Sequence, residues 1–243
     1  AVLILVFAEV SSRFEQTGGP YLYVHTAFGP IPAFIIGWLL MLTRLFSYAT
    51  LINLMVLYLS FFSESFNQPE VRIAIIILIT ALIAYFNWIG VKNTARVSNV
   101  LTVAKLFPLA IFIIVGLFYI DFDLMKGHPI PTLKDFSAST LLLVFAFGGF
   151  EAGLVNSGEI VNPRKNLPFG LLTAAAVIAG FYILIQIVSI GTLPDLASSE
   201  KPLADAASKF MGWYGGLFIT VGAVISILGT LNVQILSGSR LPF

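Results

Sequence analysis

The chain has 243 residues, 58% of them hydrophobic and only 10% charged, with a mean hydropathy of +0.96. Soluble domains carry roughly 25% charged residues, so this composition excludes an ordinary water-soluble core and points to an all-α polytopic membrane protein. Thirteen Lys and Arg stand against 12 Asp and Glu, net +1, with no cysteine; nothing here calls for nucleic acid, a disulfide or a thiolate-bound metal.

Crossing a hydrocarbon core of roughly 30 Å takes about 20 apolar residues. In chain order this predicts spans at about 1–13, 33–62, 71–90, 97–119, 138–158, 168–193 and 213–236, together one transmembrane domain over 1–243. The first span is short. AVLILVFA begins in mid-hydrophobic stride with no charged leader, and SGSRLPF stops as a loop begins, so the expectation is an internal piece of a longer chain, incomplete at both ends. After the first span, TGGPYLYVHTAFGP predicts a turn and a short helix at the membrane interface. SSEKPLADAASKFMG, residues 198–212, predicts another, with Pro202 at an early helical position and Gly212 as its stop.

Loop charges predict the orientation. One set of loops holds Arg13, Lys92, Arg96, Arg164, Lys165 and Arg240, with Glu15 and Glu159 as the nearby acids. The other set holds five basic and eight acidic residues, among them Asp121, Asp123, Asp195, Glu200 and Asp205. Short cytoplasmic loops are the ones rich in Lys and Arg, so the first set is expected inside. The spans at 138–158 and 213–236 then run inward, and the C-terminus of the chain is cytoplasmic.

Polar residues within spans are costly and usually face a bundle interior or a wet cavity. Glu9 and Arg13, four apart, are spaced to pair on one helix face. Arg44, about a third of the way along its span, reads as a packing or snorkelling arginine. Lys105 lies too deep to snorkel without strain. A lysine withdrawn from water gives up its proton more readily, so it could carry one; alternatively its ammonium takes the place of a bound cation between helices. At Gly148-Gly149 an apolar span is interrupted, with Glu151 beside the break. Freed backbone groups in a membrane must be satisfied by protein or water, and discontinuous helices of this kind form substrate sites in secondary transporters. A simple kink or a close helix contact is the competing reading, because glycine is common in membrane helices. His25 and His128 have no second ligand at metal spacing, and no GxSxG, HExxH or P-loop occurs. Neither an enzyme nor a cofactor is expected.

Several stretches in order resemble one family, the amino acid–polyamine–organocation (APC) superfamily of permeases: AEVSSRFEQTGGPYLYVHTAFGP, NWIGVKNTARVSNVLTVAKLFPL, FAFGGFEAGLVNSGEIVNPRKNLP, SSEKPLADAASKFMG and ISILGTLNVQILSGSR. The resemblance implies that the chain covers helices two to eight of a five-plus-five inverted-repeat fold of the leucine-transporter type, discontinuous at about 138–158. It implies a substrate site around Phe145, Ala146, Phe147, Gly148, Gly149 and Phe150, where backbone carbonyls take the substrate α-ammonium and Phe145 or Phe150 serves as an aromatic gate. Glu151 would brace the break, Lys105 would occupy a cation or coupling position, and Tyr48 and Asn53 would line the pocket. Ser226 and Thr230 give only thin support for sodium. The function so implied is secondary transport of an amino acid, leaning neutral or apolar, by alternating access with proton coupling, in the lipid of the cell membrane. Amino acid exchange, and amino acid sensing on the same scaffold without net transport, are the alternatives.

Overall fold

The computed structural model describes residues 2–14, 18–89, 94–126, 131–150, 154 and 160–238. The described residues contain helices and turns and no strand. In chain order the helices are α1 (Val2–Ser11), α2 (Gly19–Phe28), α3 (Pro30–Leu59), α4 (Pro69–Ile89), α5 (Thr94–Gly116), α6 (Leu133–Ala146), α7 (Pro163–Thr192) and α8 (Pro202–Gly238). Four of them, α3, α4, α7 and α8, are long and apolar enough to cross a membrane.

Local chemistry accounts for where the helices begin and end. Proline opens α3, α4, α7 and α8, because its missing N–H falls among donors that a first turn leaves unused. α6 begins at Leu133, five residues before the apolar stretch alone predicts. There Thr132 and Asp135 form a reciprocal cap: the Thr132 N–H donates to Asp135 Oδ2 at 3.2 Å, and the Asp135 N–H donates to Thr132 Oγ1 at 3.3 Å. Such a box draws polar residues into the first turn. α8 is interrupted at Gly212, whose φ of +66° and ψ of −167° are not helical. It is therefore a short arm, 202–211, and a long arm, 213–238, as the Pro202 and Gly212 positions predict. The short helix expected after Gly-Gly-Pro is also present, as α2.

The chain forms two compact units, and two of the four boundaries fall inside α3 and α7. The first comprises 1–42, 127–180 and 241–243; the second comprises 43–126 and 181–240.

The core of the second unit draws Ile52, Met55 and Tyr58 from α3, Ile83 from α4, Phe112 and Ile113 from α5, and Val188 from α7, with Ala204, Ala207, Ile219 and Leu231 from α8. Lipid tails are as apolar as leucine, so helices in a membrane associate through close packing and polar pairs, not through escape from water. Both are present. A Cβ on Gly222 would lie 2.6 Å from Pro108 Cγ, and one on Gly116 would lie 2.3 Å from Val188 Cγ1. These glycines let α8 and α7 approach α5 at backbone distance. Polar pairs join α4 and α3 to α8: Asn87 Nδ2 donates to Asn232 Oδ1 at 2.7 Å, and Arg44 Nη1 donates to Gln234 Oε1 at 3.1 Å. Arg44 is only 7% exposed, so it packs inside the unit and does not snorkel.

In the first unit Ile4, Ala8 and Ser11 form a buried stripe on α1, and Tyr23, Ala33, Leu154 and Leu167 are also buried. The Phe14 and Tyr23 rings, with centroids 4.7 Å apart, fasten α2 to the turn after α1. Burial raises the pKa of the Tyr23 phenol. Glu9 and Arg13 do pair, at 2.9 Å, on an exposed face, where such a bridge contributes little. The α6 side chains are exposed throughout.

Candidate functional site

α6 carries an apolar sequence down to Ala146 and then stops, 14 residues from its cap. Its last turn tightens. The Phe147 N–H donates to the Leu143 carbonyl at 3.0 Å, and the Gly148 N–H donates to the Phe145 carbonyl at 3.0 Å. Gly149 then takes φ +96°, a region L side chains rarely adopt. A Cβ placed there would meet no atom within 4 Å, so it is the backbone torsion, and not crowding, that demands glycine. Gly148 differs: its Cβ would press on the Phe145 carbonyl oxygen at 3.0 Å. The predicted glycine pair stands where α6 ends, and each glycine serves a separate part of that end.

A helix C-terminus presents carbonyls that lack intrahelical donors and carries partial negative charge. The Phe145 oxygen already accepts from Gly148, and a carbonyl has a second lone pair. This end of α6 can therefore receive a cationic donor such as a primary ammonium. Around it, Phe145 is exposed, whereas Phe147 and Phe150 are half-buried. Phe150 is fixed from outside the break: its ring meets that of Phe7 on α1 edge-on, with centroids 5.3 Å apart and planes at 69°. Glu151, the predicted brace, lies outside the described residues.

Phe145 to Phe150 belong to the first unit, and Tyr48 and Asn53 to the second. In the second unit both α3 residues bond to α4. The Tyr48 hydroxyl pairs with Thr80 Oγ1 at 3.0 Å. Asn53 Oδ1 accepts from Arg72 Nη2 at 2.7 Å and Nε at 3.1 Å, while Asn53 Nδ2 donates to the Ala49 carbonyl at 2.7 Å. Arg72 was not a residue that the sequence pattern singles out, since it stands at the polar start of an apolar helix. Only the antiparallel pairing of α3 with α4 brings it to Asn53. Lys105 is half-buried on α5, and no ion pair joins it to a carboxylate among the described residues. It lies three residues before Pro108, whose ring packs against Gly222. On α8 the Thr230 hydroxyl donates to the Ser226 carbonyl at 2.9 Å.

Long apolar helices, a helix opened within an apolar segment and polar pairs between helices define a multi-pass integral membrane protein. The chain belongs to the amino acid permease family, whose model matches residues 1–243. It is 30% identical to a methylthioribose transporter of Bacillus subtilis (strain 168) over 265 aligned residues, covering 100% of this chain and 56% of the relative. A serine/threonine exchanger of the same organism is 28% identical, covering 98% of this chain and 55% of the relative. A putative arginine/ornithine antiporter of Escherichia coli (strain K12) is 26% identical, covering 100% and 56%. The chain thus spans about half the length of the curated relatives it matches.

Proposed function

We propose that the protein is a secondary transporter that moves an amino acid across the cell membrane by alternating access. The observation that carries this reading is the break at 147–150: a helix C-terminus opened inside an apolar segment, with Gly149 at φ +96°. In this reading the substrate α-ammonium sits at the carbonyls of Phe145, Ala146 and Gly148, Phe147 and Phe150 contact the side chain, and Phe145 or Phe150 closes over it. Tyr48 and Asn53 line the pocket, with Asn53 oriented by Arg72. Glu151 braces the break. The three phenylalanines favour a neutral or apolar side chain. The chain forms helices two to eight of a five-plus-five inverted-repeat fold, a single transmembrane domain with its C-terminal end cytoplasmic.

Proton symport is the first coupling assignment, with Lys105 as the carrier. The names of two relatives, an exchanger and an antiporter, favour exchange as a second reading. Their printed substrates range from serine and threonine to arginine and ornithine, and a third relative is named for methylthioribose. The substrate panel therefore includes neutral, apolar and basic amino acids and methylthioribose.

The test is uptake by the full-length protein in liposomes, with and without an imposed pH gradient and with and without amino acid inside. Uptake driven by an inward proton gradient supports symport. Uptake that requires internal amino acid supports exchange. Amino acid binding without movement under either condition leaves a sensor and rules out transport. Lys105→Ala is expected to abolish the response to the pH gradient; an unchanged response removes Lys105 from coupling and leaves transport standing.

A further inference from the structure

We propose that Phe7 on α1 is a positioning residue for amino acid recognition, acting through Phe150. This inference rests on the transport reading above and deepens it. Phe150 is the first residue after the glycines, so its place determines where the chain leaving the break presents its ring and backbone to a ligand. The glycines cannot fix that place by side-chain packing. Gly149 has open space where a Cβ would stand, and a Cβ on Gly148 would touch only its own preceding turn.

The ring of Phe150 instead meets Phe7 edge-to-face, at 5.3 Å and 69°. This is within the 4.5–7 Å range, and in the perpendicular arrangement, that the ring quadrupole favours. Phe7 is itself held in place. It lies beside the α1 stripe of Ile4, Ala8 and Ser11, all buried, and is half-buried. Leu154, four residues beyond Phe150, is 0% exposed. Phe150 and Leu154 are thus two described positions held by packing, and of the two only Phe150 adjoins the glycines. The ligands that feel this most are α-amino acids with bulky apolar side chains, because these reach the Phe150 ring while the α-ammonium stays at the α6 carbonyls.

The experiment uses the full-length protein in liposomes and measures concentration-dependent uptake of the amino acid best transported by the wild type. The variants are Phe7→Ala, Phe7→Leu, Phe7→Tyr, Phe150→Ala and the Phe7→Ala/Phe150→Ala double. Aromatic pairs of this kind correspond to about threefold to tenfold in an equilibrium constant. Phe7→Ala is therefore expected to raise KM by about that factor, with the maximal rate per folded protein kept within about twofold, the sign of lost uniform binding, whereas Phe150→Ala, which also removes the ring that contacts the substrate, is expected to raise KM at least as much. The double should be no worse than the worse single. Phe7→Tyr, which keeps the ring edge, should restore KM, and Phe7→Leu should not.

Multiplying effects in the double, an unchanged KM in Phe7→Ala, or full restoration by Leu would each overturn the role of Phe7 while leaving transport intact. If Phe7→Ala does not fold, the Leu and Tyr variants carry the same comparison. A wild-type protein that neither binds nor moves any amino acid overturns the transport reading, and this inference with it.

Discussion

In the second unit, three glycines stand where a neighbouring segment presses on the backbone. Gly222 faces the Pro108 ring, Gly116 faces Val188 and Phe210, and a Cβ on Gly191 would come within 2.8 Å of Ile120 Cγ2. In the first unit, the glycine at the α6 break stands in open space and is required for its torsion. One residue type thus serves close packing at these helix contacts and backbone conformation at the α6 end, as it also does at Gly212 between the two arms of α8. The second unit is built to keep its helices together, through a shared core and interhelical polar pairs. The first ends a helix within an apolar segment.

The contrast can be tested by substitution. Gly222→Leu should have the largest effect, because no rotamer avoids the proline ring. Overpacking of this kind costs about 3 kcal/mol or more, read as a lower unfolding temperature in detergent and poor recovery of folded protein. Gly149→Ala should separate stability from function. The strained torsion costs about 1–3 kcal/mol, equivalent to about 5- to 160-fold if the chain opens elsewhere to relieve it. Uptake should fall by a factor in that range while the folded yield stays close to wild type. Gly149→Asn should be milder, because asparagine visits positive φ more readily. A Gly149→Ala variant with wild-type uptake would show that the break does not depend on this torsion.

The polar pairs are expected to rank next. Asn87→Leu alone leaves the Asn232 amide without its partner and should cost about 1–3 kcal/mol, whereas the Asn87→Leu/Asn232→Leu double should recover most of that loss. Unfolding temperatures of the three variants make the comparison. The smallest effect should be a gain: Gly180 lies within α7 with no atom within 4 Å of an added Cβ. Gly180→Ala should therefore stabilise by about 0.5–1 kcal/mol, since alanine loses less chain entropy in a helix. Destabilisation there would mean that the space beside α7 is filled in the membrane.

Much of this architecture is legible residue by residue. Pro202 and Gly212 bracket the short arm of α8 because proline lacks a donor and glycine accepts φ +66°. Gly148-Gly149 marks the α6 break for the same kind of local reason. The Glu9–Arg13 pair follows from helical spacing alone. The Thr132–Asp135 box was equally local, yet an apolar-length criterion passes over it, and α6 begins earlier than hydropathy indicates. Arg72 on Asn53, Asn232 on Asn87, Gln234 on Arg44 and Phe7 on Phe150 had no comparable signal. Each joins residues from 19 to 190 positions apart, and no periodicity within one helix specifies its partner on another.

The sequence by itself determined the apolar lengths, the caps and the positions where the backbone must bend, because each depends on a few neighbouring residues and their allowed torsions. It also carries the family, through motifs in a constant order. Tertiary structure alone decided which polar groups share a hydrogen bond, that Gly222 serves packing where Gly149 serves torsion, and which ring steadies the segment after the break. Those outcomes depend on which helix faces lie side by side, and that is settled only when whole helices pack together.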